Sequence, residues 1–170
     1  RRTTYADPVA AVLGFDTSTP ELTVALVDGG DVIAEREAGP DSGGRPRHAT
    51  ALLATVEDVL AEGGGWDAVA RIAVGIGPGT FTGLRIGIAT ARGIAQALSK
   101  PIAGVCSLAA LARGIAQLPF SEGRSRLAVI DARRSEIFAA LHDPDGRRTW
   151  GPVVAAPATL AERLAEAGGT

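Results

Sequence analysis

The sequence predicts an α/β fold with a mixed sheet, on two observations. Three strand-like runs open the chain with only short turns between them, and from His48 onward helical and strand-like segments alternate. At 170 residues the chain has the length of one domain or of two small lobes sharing a core. Apolar residues make up 46%, yet only four Phe, two Trp and one Tyr are present against 22 Gly, so packing must rest on small and branched aliphatic side chains.

Taken in order, Val9 to Phe15 is a continuous apolar run that stops at Asp16-Thr17-Ser18-Thr19-Pro20, a buried strand followed by a tight polar turn. Leu22 to Val27 resumes strand character. Asp28-Gly29-Gly30-Asp31 supplies hairpin chemistry, and Val32 to Glu37 alternates apolar with polar. Gly39 to Arg47 is a loop by composition. Leu52, Leu53, Val56, Val59 and Leu60 then form one apolar stripe of a helix from His48 to Ala61, which Gly63-Gly64-Gly65 ends.

Val69 to Ile76 is a second buried strand, leading through Gly77-Pro78-Gly79-Thr80-Phe81-Thr82-Gly83 to a helix over Leu84 to Leu98. Pro101 to Val105 reads as a short strand, and Ser107 as the N-cap of a helix carrying Leu108, Leu111, Ala112 and Ile115. Leu127 to Ile130 and Glu136 to Leu141 pair through Asp131-Ala132-Arg133-Arg134-Ser135. After the turn Asp143-Pro144-Asp145-Gly146 the pattern is irregular until a helix over Thr159 to Ala167. No internal repeat is legible. The domain boundary is expected near residue 104, giving lobes 1–104 and 105–170.

A net charge of −2 leaves no electrostatic footprint for direct nucleic-acid binding. Cys106 is the single cysteine, which excludes an internal disulfide and a multi-thiolate zinc site; it reads as a small apolar core residue. No apolar run reaches the ~18 residues of a membrane span and the N-terminus lacks a leader-like stretch, so a cytoplasmic protein without membrane contact is expected. With no methionine in the sequence, the true start is expected to lie outside it.

Asp16, Thr17, Ser18 and Thr19 place one carboxylate and three hydroxyls on a turn between buried strands. Such a turn can donate to a phosphate while Asp16 positions a metal ion or water, or it can merely satisfy its own backbone. Gly77, Gly79 and Gly83, with Thr80, lead into a helix whose free N–H groups favour an anion or a docked backbone; the spacing is neither a Walker A loop nor a dinucleotide fingerprint.

Gly83, Gly87, Ala91 and Ala95 recur every four residues and let another helix approach closely, either the His48–Ala61 helix or one from a second subunit. Leu84, Ile88, Ile94 and Leu98 are then expected to cover the sheet. On the intersubunit alternative, Ala91→Leu weakens association and leaves the fold intact. His48 has Leu52, not a ligand, four residues on, and His142 lies on another element, so the parts of a metal site or a histidine-dependent triad are missing. Ser18, Ser107 and Cys106 lack a nucleophile-elbow context. Arg133 and Arg134 are either a solvated hairpin tip or donors to a nucleotide or partner.

Together the Asp16 segment, His48 before Leu52-Leu53, the block GIGPGTFTGLRIGIATARGIAQAL, Ser107 to Leu111 and Asp131 to Glu136 resemble the TsaB (YeaZ) family over nearly the whole chain. The resemblance implies an actin-like ATPase (ribonuclease H-like) fold, a mixed five-stranded sheet with helices, and a second lobe incomplete in this sequence. It implies a scaffold and activator without catalytic residues, acting on a TsaD-like catalytic subunit that forms N6-threonylcarbamoyladenosine at adenosine 37 of tRNA. A TsaE-like ATPase is a further partner, the protein alone is a homodimer, and tRNA contact is indirect.

The catalytic paralogue's His-x-x-x-His metal pair is broken here, since Leu52 follows His48. No cofactor is then required, although ATP or ADP with magnesium can sit at the partner interface. The nucleotide candidates are Asp16, Thr17, Ser18, Thr19, Gly77, Gly79 and Thr80; the interface candidates are His48, Gly83, Arg85, Gly87, Ala91, Ala95, Arg133 and Arg134. Competing readings are an actin-like ATPase or kinase, and a peptidase of the glycoprotease superfamily.

Overall fold

The computed structural model describes residues 11–167. Strand β1 (Ala11–Asp16) pairs antiparallel with β2 (Leu22–Asp28), which pairs antiparallel with β3 (Asp31–Ala38). Helix α1 (His48–Glu62) follows. Strand β4 (Val69–Gly75) then lies parallel to β1, and helix α2 (Phe81–Leu98) leads to β5 (Ile102–Val105), parallel to β4. The sheet order β3-β2-β1-β4-β5 is the mixed, five-stranded arrangement of the actin-like, ribonuclease H-like fold.

Alternation fixes which face is buried. Leu13 and Phe15 on β1 lie beside Leu26 and Val24 on β2 and beside Ile72 and Val74 on β4, so all six point to one side. Leu52, Val56, Val59 and Leu60 of α1 and Ala91 and Ala95 of α2 complete this core. Among the described residues, 11–76 together with Phe81–Val105 form one compact unit; Gly77–Thr80 and residues 106–167 form a second.

In the second unit, helix α3 (Ser107–Ile115) buries Leu108 and Ala112 against Ala128, Ile130 and Ala140 of an antiparallel sheet. Its strands are β6 (Arg126–Arg133), β7 (Glu136–His142) and β8 (Arg148–Ala155), in that spatial order, and helix α4 (Pro157–Ala167) follows. A three-strand meander followed by a helix therefore occurs in both units, a repeat of element order that residue identities conceal.

The first strand was expected from Val9, which lies outside the described residues. Two other expectations need correction. Helix α2 starts at Phe81, three residues before Leu84, because Gly83 is a helical contact residue and not part of the loop. The irregular stretch after Gly146 is in fact β8. Gly151-Pro152 breaks its alternation, and the edge position tolerates a proline that a central strand would not. Gly151 has φ +82°, and a Cβ there would lie 2.6 Å from the Ala139 carbonyl oxygen, so glycine is needed for strand contact.

Candidate functional site

Strand β1 delivers Asp16 to its end, half-buried, where one carboxylate oxygen accepts the Ser18 N–H at 2.6 Å. This is an Asx turn, the local geometry that aspartate favours. Thr17 is fully buried and Ser18 nearly so. The Thr17 hydroxyl donates to the Gly83 carbonyl at 2.8 Å, which ties the β1–β2 turn to the first turn of α2. Its proton is therefore spent inside the fold, which corrects the reading of Thr17 as a donor to phosphate. Thr19 donates to Glu21 O at 3.2 Å.

Two glycines make this turn fit. A Cβ on Gly75, at the end of β4, would overlap the Asp16 carboxylate, and one on Gly87 would overlap Thr17 Oγ1. The structure thus brings Asp16, Thr17, Gly75, Gly83 and Gly87 together. Gly75 and the Gly83 carbonyl were not identified in the sequence; a glycine ending a strand beside an acidic turn was the available signal. Gly77, Gly79 and Thr80 belong to the second unit, where Gly77, at φ +88°, accepts the Ser107 N–H at 2.8 Å. That bond satisfies one of the free N–H groups at the start of α3.

The small-residue strip turns inward. Gly83, Gly87, Ala91 and Ala95 are the buried residues of α2, whereas Leu84, Ile88, Ile94 and Leu98 are only half-buried. Of the two alternatives left open for the strip, packing inside the chain holds and the second-subunit contact is overturned, since Ala91 has no exposed surface; of the larger side chains expected on the sheet, Ile88 and Ile94 pack partly buried against the core. Small side chains let the helix axis come close enough to the sheet for Thr17 to reach Gly83. Accordingly Ala91→Leu should over-pack the core and cost about 1–3 kcal/mol, read as a lower urea midpoint; unchanged stability would contradict this placement.

His48 also departs from its expected interface role. It begins the stripe His48, Leu52, Thr55, Val56, Val59 that α1 turns inward, and it is only 3% exposed. Its Nε2 finds no hydrogen-bond partner. Among the described residues no group of three or more His, Cys, Asp or Glu side chains could hold a metal ion.

Solvent meets the other side of α2. Phe81 is 74% exposed and the Arg85 guanidinium lies 5.3 Å from its ring centroid, a cation–π contact. Beside them runs an open groove of about 350 Å³ lined by Thr82, Arg85, Ile86 and Ala89. Arg85 is thus exposed as its interface reading requires, and Phe81 is an aromatic that sequence reasoning passed over, although it falls outside the helix's four-residue strip. Arg133 and Arg134 are also exposed, at the β6–β7 hairpin, with Arg133 held 3.7 Å from Asp131.

The model of the family described as TsaD, tRNA N6-adenosine threonylcarbamoyltransferase, matches residues 41–167. The tRNA threonylcarbamoyladenosine biosynthesis protein TsaB of Escherichia coli K12 is 36% identical over 141 residues, which is 82% of this chain and 58% of that protein. The Haemophilus influenzae TsaB is 33% identical over 75% of this chain and 51% of its own. The solved structure of YeaZ from Pseudomonas aeruginosa superposes with a TM-score of 0.74 at 35% identity, covering 87% of this chain and 68% of that one. This chain therefore spans between half and two thirds of the length of its named TsaB relatives. No helix among the described residues is long and apolar enough to cross a membrane. On these matches the chain belongs to the TsaD family, on its TsaB (YeaZ) side.

Proposed function

We propose that this chain is a cytoplasmic, non-catalytic scaffold and activator of a TsaD-like enzyme in the formation of N6-threonylcarbamoyladenosine in tRNA. The observation that carries the reading is the outer face of α2, where Phe81 and Arg85 stand exposed beside a groove while the small-residue face is sealed inside. An aromatic and an arginine side by side are the residue types that dominate interface energies. The same face would serve the homodimer and the catalytic partner in turn, with a TsaE-like ATPase joining the assembled pair.

A direct role in chemistry finds little support in the residues. Leu52 stands where a second histidine would be needed, and the Thr17 hydroxyl is already committed to Gly83. The turn offers two carboxylates, Asp16, which already accepts the Ser18 N–H, and the exposed Glu21, and they belong to no group of three or more His, Cys, Asp or Glu among the described residues, so the donor set fits a magnesium nucleotide poorly within this chain alone. ATP or ADP, if bound, would rest at the boundary with the partner.

Binding to the same organism's TsaD-like protein, measured by calorimetry, tests the proposal. Phe81→Ala and Arg85→Glu are each expected to weaken it by about 30-fold, the ~2 kcal/mol of an interface hot spot. Thermal stability should stay unchanged because both side chains are exposed. Full affinity in both variants would overturn the assignment of this face.

A further inference from the structure

On the face of the second unit's sheet that packs against α3, alternation brings Arg126, Ala128 and Ile130 of β6 opposite His142, Ala140 and Phe138 of β7. The last two pairs are apolar. The first is not, and its members are nonetheless buried, Arg126 at 8% and His142 at 3% exposure. Arg126 spends its terminal nitrogens on the β7–β8 turn, donating to Pro144 O at 3.1 Å and to Asp143 O at 3.4 Å. Arg126 Nε and His142 Nδ1 are both buried and find no hydrogen-bond partner.

A guanidinium thus holds a turn by two carbonyls while lying across the strand pair from a buried imidazole. We propose that Arg126 and His142 form an acid-released latch on the β7–β8 turn: when His142 takes a proton, Arg126 leaves the turn carbonyls and the β8 edge opens. The groups around His142 favour this. Arg148 is its partner on β8, Arg126 its partner on β6, and α3 contributes one ionisable side chain, Arg113, exposed in its last turn. The turn itself adds Asp143, Asp145 and Arg147, with Asp143 Oδ1 accepting the Arg147 N–H.

Burial first, then Arg148, pushes the His142 imidazole below its ordinary value of 6.5, while the Ala140 backbone and the Asp143 carboxylate pull the other way. Above that value the closed and open forms both hold a neutral ring, and the latch is fully stable. As pH falls below it, the open form binds the proton before the closed form does, so opening becomes easier with acid.

The test is amide hydrogen exchange over residues 143–150 at about pH 7.5 and about pH 5, corrected for intrinsic rates, in the native chain and in His142→Phe, which keeps a ring that cannot ionise. The native chain is expected to open more readily at the lower pH, by up to about tenfold for each unit by which the closed-form pKa lies below 6.5. His142→Phe should lose that dependence. Equal pH responses in the two chains, or none in the native one, overturn the latch. Should the variant fail to fold, an NMR titration of His142 in the native chain decides: a midpoint below 6.5 that coincides with β8 opening supports the proposal. A midpoint at or above that value, or opening that does not follow it, refutes it.

Discussion

Gly87→Val is expected to destabilise the first unit by about 4 kcal/mol, over-packing and the loss of a buried hydrogen bond acting together. A Cβ at this position overlaps Thr17 Oγ1, which has no exposed surface into which to retreat. The hydroxyl must therefore leave the Gly83 carbonyl, or the helix must lift from the sheet and open a gap around Ala91 and Ala95. Either route breaks contacts on which the turn depends. Gly93, on the same helix, is exposed and would meet nothing within 4 Å of an added Cβ. Gly93→Ala should accordingly stabilise by about 0.5–1 kcal/mol through helix propensity. Urea unfolding of the two variants measures the contrast, and similar midpoints would contradict the inward placement of the strip.

Gly75→Val is the second large effect, with an expected cost of about 3 kcal/mol. The added side chain competes with the Asp16 carboxylate for one space at the end of β4, and moving Asp16 removes its bond to the Ser18 N–H. Because the clash is with a named side chain, it can be separated from a general intolerance of valine. Adding Asp16→Ala to Gly75→Val should recover at least ~1 kcal/mol relative to additive costs, as neighbours in contact do. Strict additivity would mean that the two residues do not share the space.

The meander and α1 were legible because their signals are local. Leu22, Val24 and Leu26 alternate, and the stripe through Leu52, Val56 and Val59 has helical spacing. The orientation of α2 was not legible, for a physical reason: hydrophobicity assigned Leu84 and Leu98 to the sheet, whereas the required separation of helix and sheet assigned Gly87 and Ala91. Separation is a property of the packed pair and is absent from either segment alone. Thr17 misled in the same way, since a hydroxyl on a turn reads equally as a ligand donor or as a strut until its partner 66 residues away is known. Likewise Arg126 and His142 become a pair only once the register of β6 on β7 is fixed.

Reconstituted modification of tRNA gives the most direct test of the scaffold reading. The TsaD-like enzyme, its ATPase partner, threonylcarbamoyl-adenylate and tRNA would be assayed for threonylcarbamoyladenosine with and without this protein, and with its Arg85→Glu variant. A scaffold and activator predicts product only when the native protein is present, none from this protein without the enzyme, and a loss with Arg85→Glu that excess protein restores. Product formed at the same rate without this protein, or product formed by this protein alone, would contradict the account.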